Sequence, residues 1–414
     1  MRITKSKDKT FSIRWVCFMI VTFSLFFPMT TWGQGKSCFV VEELVDMGFE
    51  NVRWVENEST QIYTIENSNY KLSGIGIKEA VHIIQNNGLS PNKICKIIIT
   101  QLNIPQISLT YTPSANDSIT DIQYRDWQVS YELNKSWEEV KNKKKKNSSC
   151  YKIDFLIYPQ LAFMNMVITQ IYQVLFQLSP AIEVSLWSGM KLTGQIKIPI
   201  YNDGYGMLER KVHPGHLTVS QRFRLPYNIF GKATLGYFNS DRYGVDLSFF
   251  HPLRDERFSL EARIGYVGIG YWNGLKLHYD SDMSFSWTLG ASYYWPKYNT
   301  QFNLNANKFL LGEVGVKFEM IRHFRYASIG LYAMKAEQAK SNGGFRFQIA
   351  LPPYNKYKRN KYFPRINTSA NMGIVYNAGN ERKYYKEYKA EASDNIMEAN
   401  KFNPYFIKSE LLNF

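Results

Sequence analysis

Residues 285–293 read Phe-Ser-Trp-Thr-Leu-Gly-Ala-Ser-Tyr, with a large or apolar residue at every odd position and a small or polar one at every even position. A period of two belongs to an extended strand, whose successive side chains point to opposite faces. The same alternation recurs on both sides of this stretch. Val314, Val316, Phe318 and Met320 share one face, while Gly315, Lys317 and Glu319 share the other. Ala327, Ile329, Leu331 and Ala333 alternate with Ser328, Gly330 and Tyr332. Upstream, Leu260, Ala262, Ile264 and Tyr266 oppose Glu261, Arg263 and Gly265. Leu217, Val219, Phe223 and Leu225 oppose Thr218, Ser220, Arg222 and Arg224, with Gln221 landing on the apolar side. From Tyr151 onward roughly twelve such runs, each roughly ten residues long, are separated by Asn, Asp, Gly and Pro. This is the dyad pattern of a transmembrane β-barrel.

A soluble sandwich would show the same period, with its charged face in water and its apolar face in the core. In an outer-membrane barrel the apolar face meets lipid and the charged face fills the lumen. Composition favours the barrel. The 414 residues are 45% hydrophobic and 16% aromatic, including 29 Tyr, 27 Phe and 9 Trp, yet mean hydropathy is −0.32. That content excludes a disordered chain, and the sequence holds no run near twenty apolar residues to make a membrane helix beyond the N-terminus. Aromatic residues gather at strand ends (Tyr201, Tyr205, Phe249-Phe250, Tyr271-Trp272, Tyr293-Tyr294-Trp295), as an interfacial girdle requires. Phe414 ends the chain with Leu412 and Phe406 at even offsets, a candidate assembly signal on a final strand, although Lys408 and Glu410 occupy the same face.

Residues 1–33 read as a secretory signal. Arg2, Lys5, Lys7, Lys9 and Arg14 form a basic start, broken only by Asp8, and the apolar core Trp15 to Phe27 ends at Pro28. Its removal takes five positive charges and one negative from a net +15, leaving +11. Of the remaining cysteines, Cys38 and Cys95 could pair within one small domain of an exported protein. Residues 38–112 are expected to form a small α/β unit: an amphipathic helix through Val40, Leu44 and Phe49, strands at 52–55 and 61–66, a second helix at 77–84, and strands at 94–102 and 107–110. Residues 113–150, ending in the lysine run 141–146, read as a solvated linker. Residues 151–414 are then the barrel.

Alternation places Lys197, Arg222, Arg224, Glu261, Arg263, Lys317, Glu319 and Arg346 in the lumen. Opposite charges there can pair and stiffen the interior, or the net basic surface can admit an acidic glycan or hold a plug. The basic run 354–365 reads as a solvated inter-strand loop of either side. No nucleophile elbow, P-loop, H-E-x-x-H or paired C-x-x-C is present, so neither catalytic nor metal residues nor a cofactor are assigned. His82 reads as a structural or surface residue, and His278 with Asp280 and Asp282 as a polar loop. His213 and His216 flank a Pro-Gly pair, and a hydrolase could be built only by forcing His216 and Ser220 together. An exported chain has no use for nucleic acid as a partner. Oligomeric state is not legible.

Several stretches resemble the YjbH-like family of exopolysaccharide-associated outer-membrane proteins. They are Leu192 to Asn202 (LTGQIKIPIYN), Gly236-Tyr237-Phe238, Asp241 to Asp246 (DRYGVD), Gly265-Tyr266-Val267, Lys308 to Glu319 (KFLLGEVGVKFE) and Gly343 to Pro352 (GGFRFQIALP). The leading unit at 38–112 is also similar to the family's small first domain. The resemblance implies a periplasmic α/β domain on an outer-membrane barrel, working with polysaccharide export components in secretion or assembly of an extracellular polysaccharide or capsule. It implies no catalytic residue. The alternatives are a secreted all-β carbohydrate-binding module using exposed Tyr and Trp, and an outer-membrane hydrolase.

Overall fold

The computed structural model describes residues 32–90, 92–113, 122–165, 172–352, 354, 365–368, 371–379 and 387–412. The expected signal at 1–33 lies almost wholly outside them. The first helix, α1 (Trp32–Asp46), is followed by β1 (Glu50–Glu56), β2 (Thr60–Glu66), α2 (Ser73–Asn87), β3 (Ile94–Gln101) and β4 (Ile104–Tyr111). Because α2 carries the chain back across the sheet, β2 and β3 are parallel, while β1–β2 and β3–β4 are antiparallel. Val40 and Leu44 of α1 and Ile77, Val81 and Ile84 of α2 bury one face of the sheet against Tyr63, Ile65, Ile97 and Ile99. Their i, i+4 spacing is the helical period expected of them.

Residues 124–150 are not a linker. They supply β5 (Gln128–Ser130), which pairs with β4, and α3 (Ser136–Val140). The physical reason is the second face of the sheet: Ile62 and Ile98 would be bare there, and Leu133 and Val140 cover them. Trp127 is wholly buried in the main core. The lysine run lies along the free edge of β1, where Lys146 N donates to Val52 O at 2.9 Å and Arg53 Nε donates to Lys143 O at 3.2 Å. An open strand edge is thereby occupied. Cys95 is a free thiol, fully buried in β3, so the Cys38–Cys95 bridge is not formed; the Cys38 side chain lies outside the described residues.

The barrel begins at β6 (Ile153–Asn165) and continues through β7 (Tyr172–Ser185), β8 (Met190–Asp203), β9 (His213–Leu225), β10 (Ile229–Phe238) and β11 (Arg242–Pro252). It proceeds with β12 (Phe258–Asn273), β13 (Lys276–Trp295), β14 (Thr300–Lys308), β15 (Val314–His323), β16 (Ala327–Ala336) and β17 (Asn342–Ala350). Each pairs antiparallel with the next. A thirteenth strand is broken in two: β18 (Arg365–Thr368) pairs with β6, and β19 (Asn371–Asn377) pairs with β17. In an alternating series an odd strand count sends the first and last strands the same way. The β18–β6 pair is accordingly parallel, and the ring is nearly closed through it.

Burial decides between barrel and sandwich. The apolar face is the exposed one: Leu289 is 58% exposed, Leu304 55% and Leu331 52%, with Leu235, Ile264, Phe285, Val316, Phe318 and Ile329 alongside them. The polar face is turned inward, where Thr193, Gln195, Thr218, Ser220, Thr234, Lys317 and Glu319 are buried. A water-soluble module would invert this arrangement, so the secreted-module alternative fails and an outer-membrane-type barrel stands. The aromatic pairs at strand ends divide accordingly. Trp295 is exposed on the outer rim, whereas Tyr294 turns inward and stacks on Tyr405 at 6.1 Å.

The C-terminus corrects a further expectation. Residues 404–412 form a helix, α5 (Pro404–Leu412), rather than a last strand. Ile407 and Leu411, one helical turn apart, are buried in the core of the α/β domain, which explains why Lys408 and Glu410 spoiled the period-two reading; Phe414 lies outside the described residues. If the outer face meets lipid, Leu304→Lys should destabilise the folded chain by about 2–4 kcal/mol in urea titrations in bilayers. A change within experimental scatter would place Leu304 in water.

Candidate functional site in the barrel lumen

The α/β domain lies across one mouth of the barrel. Arg224 holds it there, donating to the carbonyls of Pro105 at 3.2 Å, Gln106 at 3.0 Å and Tyr131. Tyr131 sets its ring against Phe230 and Phe250 at 5.7 and 5.8 Å, and Glu256 accepts from Ser130 Oγ at 2.6 Å and Tyr131 N at 2.7 Å. Arg224 thus has the inward parity expected of it, but it serves the junction rather than the lumen. Tyr354, at the start of the basic 354–365 run, also lies on this side, where Lys71 N donates to its carbonyl at 3.4 Å; residues 355–364 lie outside the described set.

From the opposite mouth, residues 387–412 return through the lumen to the domain as an internal strap. Near that mouth Ser240 Oγ donates to Glu387 O at 3.3 Å. Tyr388 stacks on Phe238 with ring centroids 5.3 Å apart and donates to Asp246 Oδ2 at 2.7 Å. Arg263 joins the same group, its Nε 2.8 Å from Asp246 Oδ2 and its guanidinium 4.6 Å from the Tyr388 ring. Gly265 makes this approach possible, since a Cβ there would come within 1.9 Å of Tyr388 Oη.

Deeper in, Glu391 is 0% exposed and carries the densest set of contacts. It accepts from Ser220 Oγ at 2.8 Å and Arg222 Nη2 at 2.6 Å, with Lys232 Nζ at 3.1 Å and Lys191 Nζ at 3.3 Å. Asp394 adds a second carboxylate, 2.8 Å from Lys232 Nζ, and accepts from Glu391 N at 3.0 Å. Three cations converging on one buried carboxylate offset its desolvation, and the carboxylate in turn keeps the three from repelling one another. Below this cluster Asn395 Oδ1 caps α4 (Ile396–Asn400), accepting from Met397 N and Glu398 N. Then α5 docks on the domain, where Lys408 Nζ donates to Arg125 O at 2.7 Å.

The structure brings most of the expected lumen residues onto this strap or beside it. Arg222 grips Glu391, and Lys317 lies 3.2 Å from Glu387. Arg346 bridges Glu319 at 3.1 Å and Glu387 at 3.7 Å. Lys197 is half-buried on the inward side of β8, past Lys191, Thr193 and Gln195. Glu261 stands apart from the strap, with no ion pair among the described residues. Sequence reasoning missed Lys191, Lys232, Asp246 and every residue of the strap. One signal was present: Glu387, Glu391, Asp394 and Glu398 crowd four carboxylates into twelve residues of a basic chain.

His216 and Ser220 do share the lumen face of β9, two rungs apart, but each is committed elsewhere. His216 contacts Gln195 Oε1 at 3.0 Å and Lys389 O at 3.2 Å through its two ring nitrogens, and Ser220 donates to Glu391. A hydroxyl bound to a carboxylate and not to the imidazole is not an activated nucleophile.

The strap fills one side of the lumen only. Beside it remains a cavity of about 730 Å³, lined on the far wall by β12, β13 and β14. No family model matches the chain, and no curated protein does. Solved structures that are similar include mutants of the Rh. blastica porin, at 8% identity and TM-score 0.26 over 48% of this chain and 89% of that one. A chain titled "Asymmetric conductivity of engineered proteins" is similar at 8% identity and TM-score 0.25, over 49% and 91%. Likeness this slight adds nothing to what the strands themselves show.

Glu391→Gln should leave Lys191, Arg222 and Lys232 facing one another and destabilise the folded chain by about 3–5 kcal/mol, measured by urea unfolding in lipid. Glu391→Asp should recover part of the loss. A Gln variant as stable as the parent would mean the strap is not held by this cluster.

Proposed function

We propose that this chain is a non-enzymatic outer-membrane protein taking part in secretion or assembly of an extracellular polysaccharide or capsule. The barrel serves as conduit or anchor, and the α/β domain offers a contact to export components in the periplasm. The observation that carries this reading is the divided lumen: a transmembrane barrel that holds its own C-terminal strap on one side and keeps an open cavity of about 730 Å³ beside it. A barrel needed only as an anchor can be packed solid with side chains, and the open side of this one has no such packing role.

Two further features support it. The domain packs across the mouth formed by the ends of β9 to β12, where Arg224, Phe230, Phe250 and Glu256 hold it, so one side of the barrel presents the domain to partners. The strap also ties that domain to the opposite mouth, since α5 completes the domain core while Tyr388 is fixed beside Phe238. A partner engaging the domain would therefore act on the lumen through one continuous piece of chain.

Cells deleted for the chain should lose polysaccharide from the medium and cell surface in a colorimetric hexose and uronate assay, while keeping it in the cell fraction. An unchanged extracellular yield would refute the role in secretion.

A further inference from the structure

The lumen was expected to be net basic, and a basic passage would suit an acidic polymer. The structure shows where those cations go. Lys191, Arg222 and Lys232 face Glu391, Arg263 faces Asp246, Lys317 faces Glu387, and Arg346 faces Glu319. The wall across the cavity has a different chemistry. Along β13 the inward positions are Ser286, Thr288, Gly290, Ser292 and Tyr294; along β14 they are Gln301, Asn303, Asn305 and Asn307. The register sets them opposite one another: Ser292 beside Asn303, Gly290 beside Asn305, Thr288 beside Asn307. These inward positions are uncharged, and each of these three rungs places a small residue against a carboxamide.

The hydrogen-bonding capacity of the wall is only partly used. Gln301 Nε2 donates to Asn303 Oδ1 at 2.7 Å, and Thr288 Oγ1 donates to Asn307 Oδ1 at 2.8 Å. Among the described residues, Asn303 Nδ2 and both ends of the Asn305 carboxamide have no protein partner. Ser292 Oγ is buried and likewise without one. Gly290 keeps space for the Asn305 amide, whose Oδ1 would lie 2.4 Å from a Cβ at that position. A carboxamide presents a donor and an acceptor side by side, the arrangement that pairs with two neighbouring hydroxyls of a sugar ring. At about 730 Å³ the cavity falls in the ~300–1,000 Å³ range of ligand clefts. Glu261 lines the cavity on the adjoining wall.

We propose that the β13–β14 face of the lumen, centred on Ser292, Asn303 and Asn305, is a binding site for an uncharged, hydroxyl-rich ligand such as a neutral saccharide chain. This rests on the reading of the lumen as a compartment for a polymer and narrows it: the strap and neighbouring barrel carboxylates pair the named cations, while the β13–β14 amides stay open, so selection falls to those amides. An acidic glycan is disfavoured here.

The test uses the full chain folded in detergent, titrated calorimetrically with maltotriose and, separately, with trigalacturonic acid. Maltotriose should bind, trigalacturonic acid should bind at least tenfold more weakly, and Asn303→Ala with Asn305→Ala should weaken maltotriose by about tenfold, the loss of one to two hydrogen bonds. Ser240→Ala, at the opposite side of the strap entrance, should leave binding unchanged, and an unaltered gel migration of the unheated amide variant shows that it folds. Preference for trigalacturonic acid, equal binding of both, no binding of maltotriose, or amide variants that bind like the parent would each overturn the proposal. Secretion is read separately, in the deletion strain. Binding without a secretion phenotype would sink the export role and leave the site, and the reverse result would sink the site and leave the role.

Discussion

A buried carboxylate must be neutralised or paired, and Glu391 is where this constraint shapes the molecule. It has no exposed surface and four partners on three strands, Lys191 on β8, Ser220 and Arg222 on β9, and Lys232 on β10. Removing those cations would strand a charge in a site of low dielectric, and removing the carboxylate would strand the cations. The strap is therefore held against one side of the lumen and no other. From that placement follow the docking of α5 on the α/β domain, the attachment of Tyr388 near the far mouth, and the open cavity on the side the strap does not reach.

The barrel itself rests on a simpler rule. With side chains alternating between two environments, a strand across a membrane must place apolar groups at every second position. Residues 285–293 obey it so regularly that the strand and its two faces could be read from nine letters, while the choice of barrel over sandwich rested on the aromatic content and the recurrence of such runs. The same parity put Arg222, Arg263, Lys317, Glu319 and Arg346 on the inward side, where the structure also has them. The α/β unit was legible for the same kind of reason, since Val40 and Leu44 or Ile77, Val81 and Ile84 repeat at the helical period.

What escaped the sequence has no period. The strap between Glu387 and Asn395 is irregular, and its place is set by ion pairs with residues distant in the chain, such as Lys232 with Glu391, 159 positions apart. The segment at 124–150 failed similarly, because Trp127, Leu133 and Val140 are isolated apolar residues in a polar stretch that become core only when the sheet has a second face to cover. At the C-terminus, Phe406 and Leu412 sit at even offsets by coincidence, while Ile407 and Leu411 mark the true helical face. Parity also could not tell that Arg224, at the end of its strand, reaches carbonyls of another domain. Alternation names a face and is silent about what lies across from it.

The divided lumen is the functional consequence. On one side the cations around Glu391 are paired internally, and on the other the inward positions of β13 and β14 from Ser286 to Tyr294 and from Gln301 to Asn307 are neutral, rich in carboxamides and open. The central claim is that the C-terminal strap runs inside the barrel, and its most direct test is a cross-link near the far mouth. In a cysteine-free background, Phe238→Cys and Tyr388→Cys replace two rings whose centroids lie 5.3 Å apart. Mild oxidation of the folded chain should join them within one molecule, giving a faster-migrating band that reduction abolishes. Failure to cross-link in a barrel shown to be folded would contradict the account.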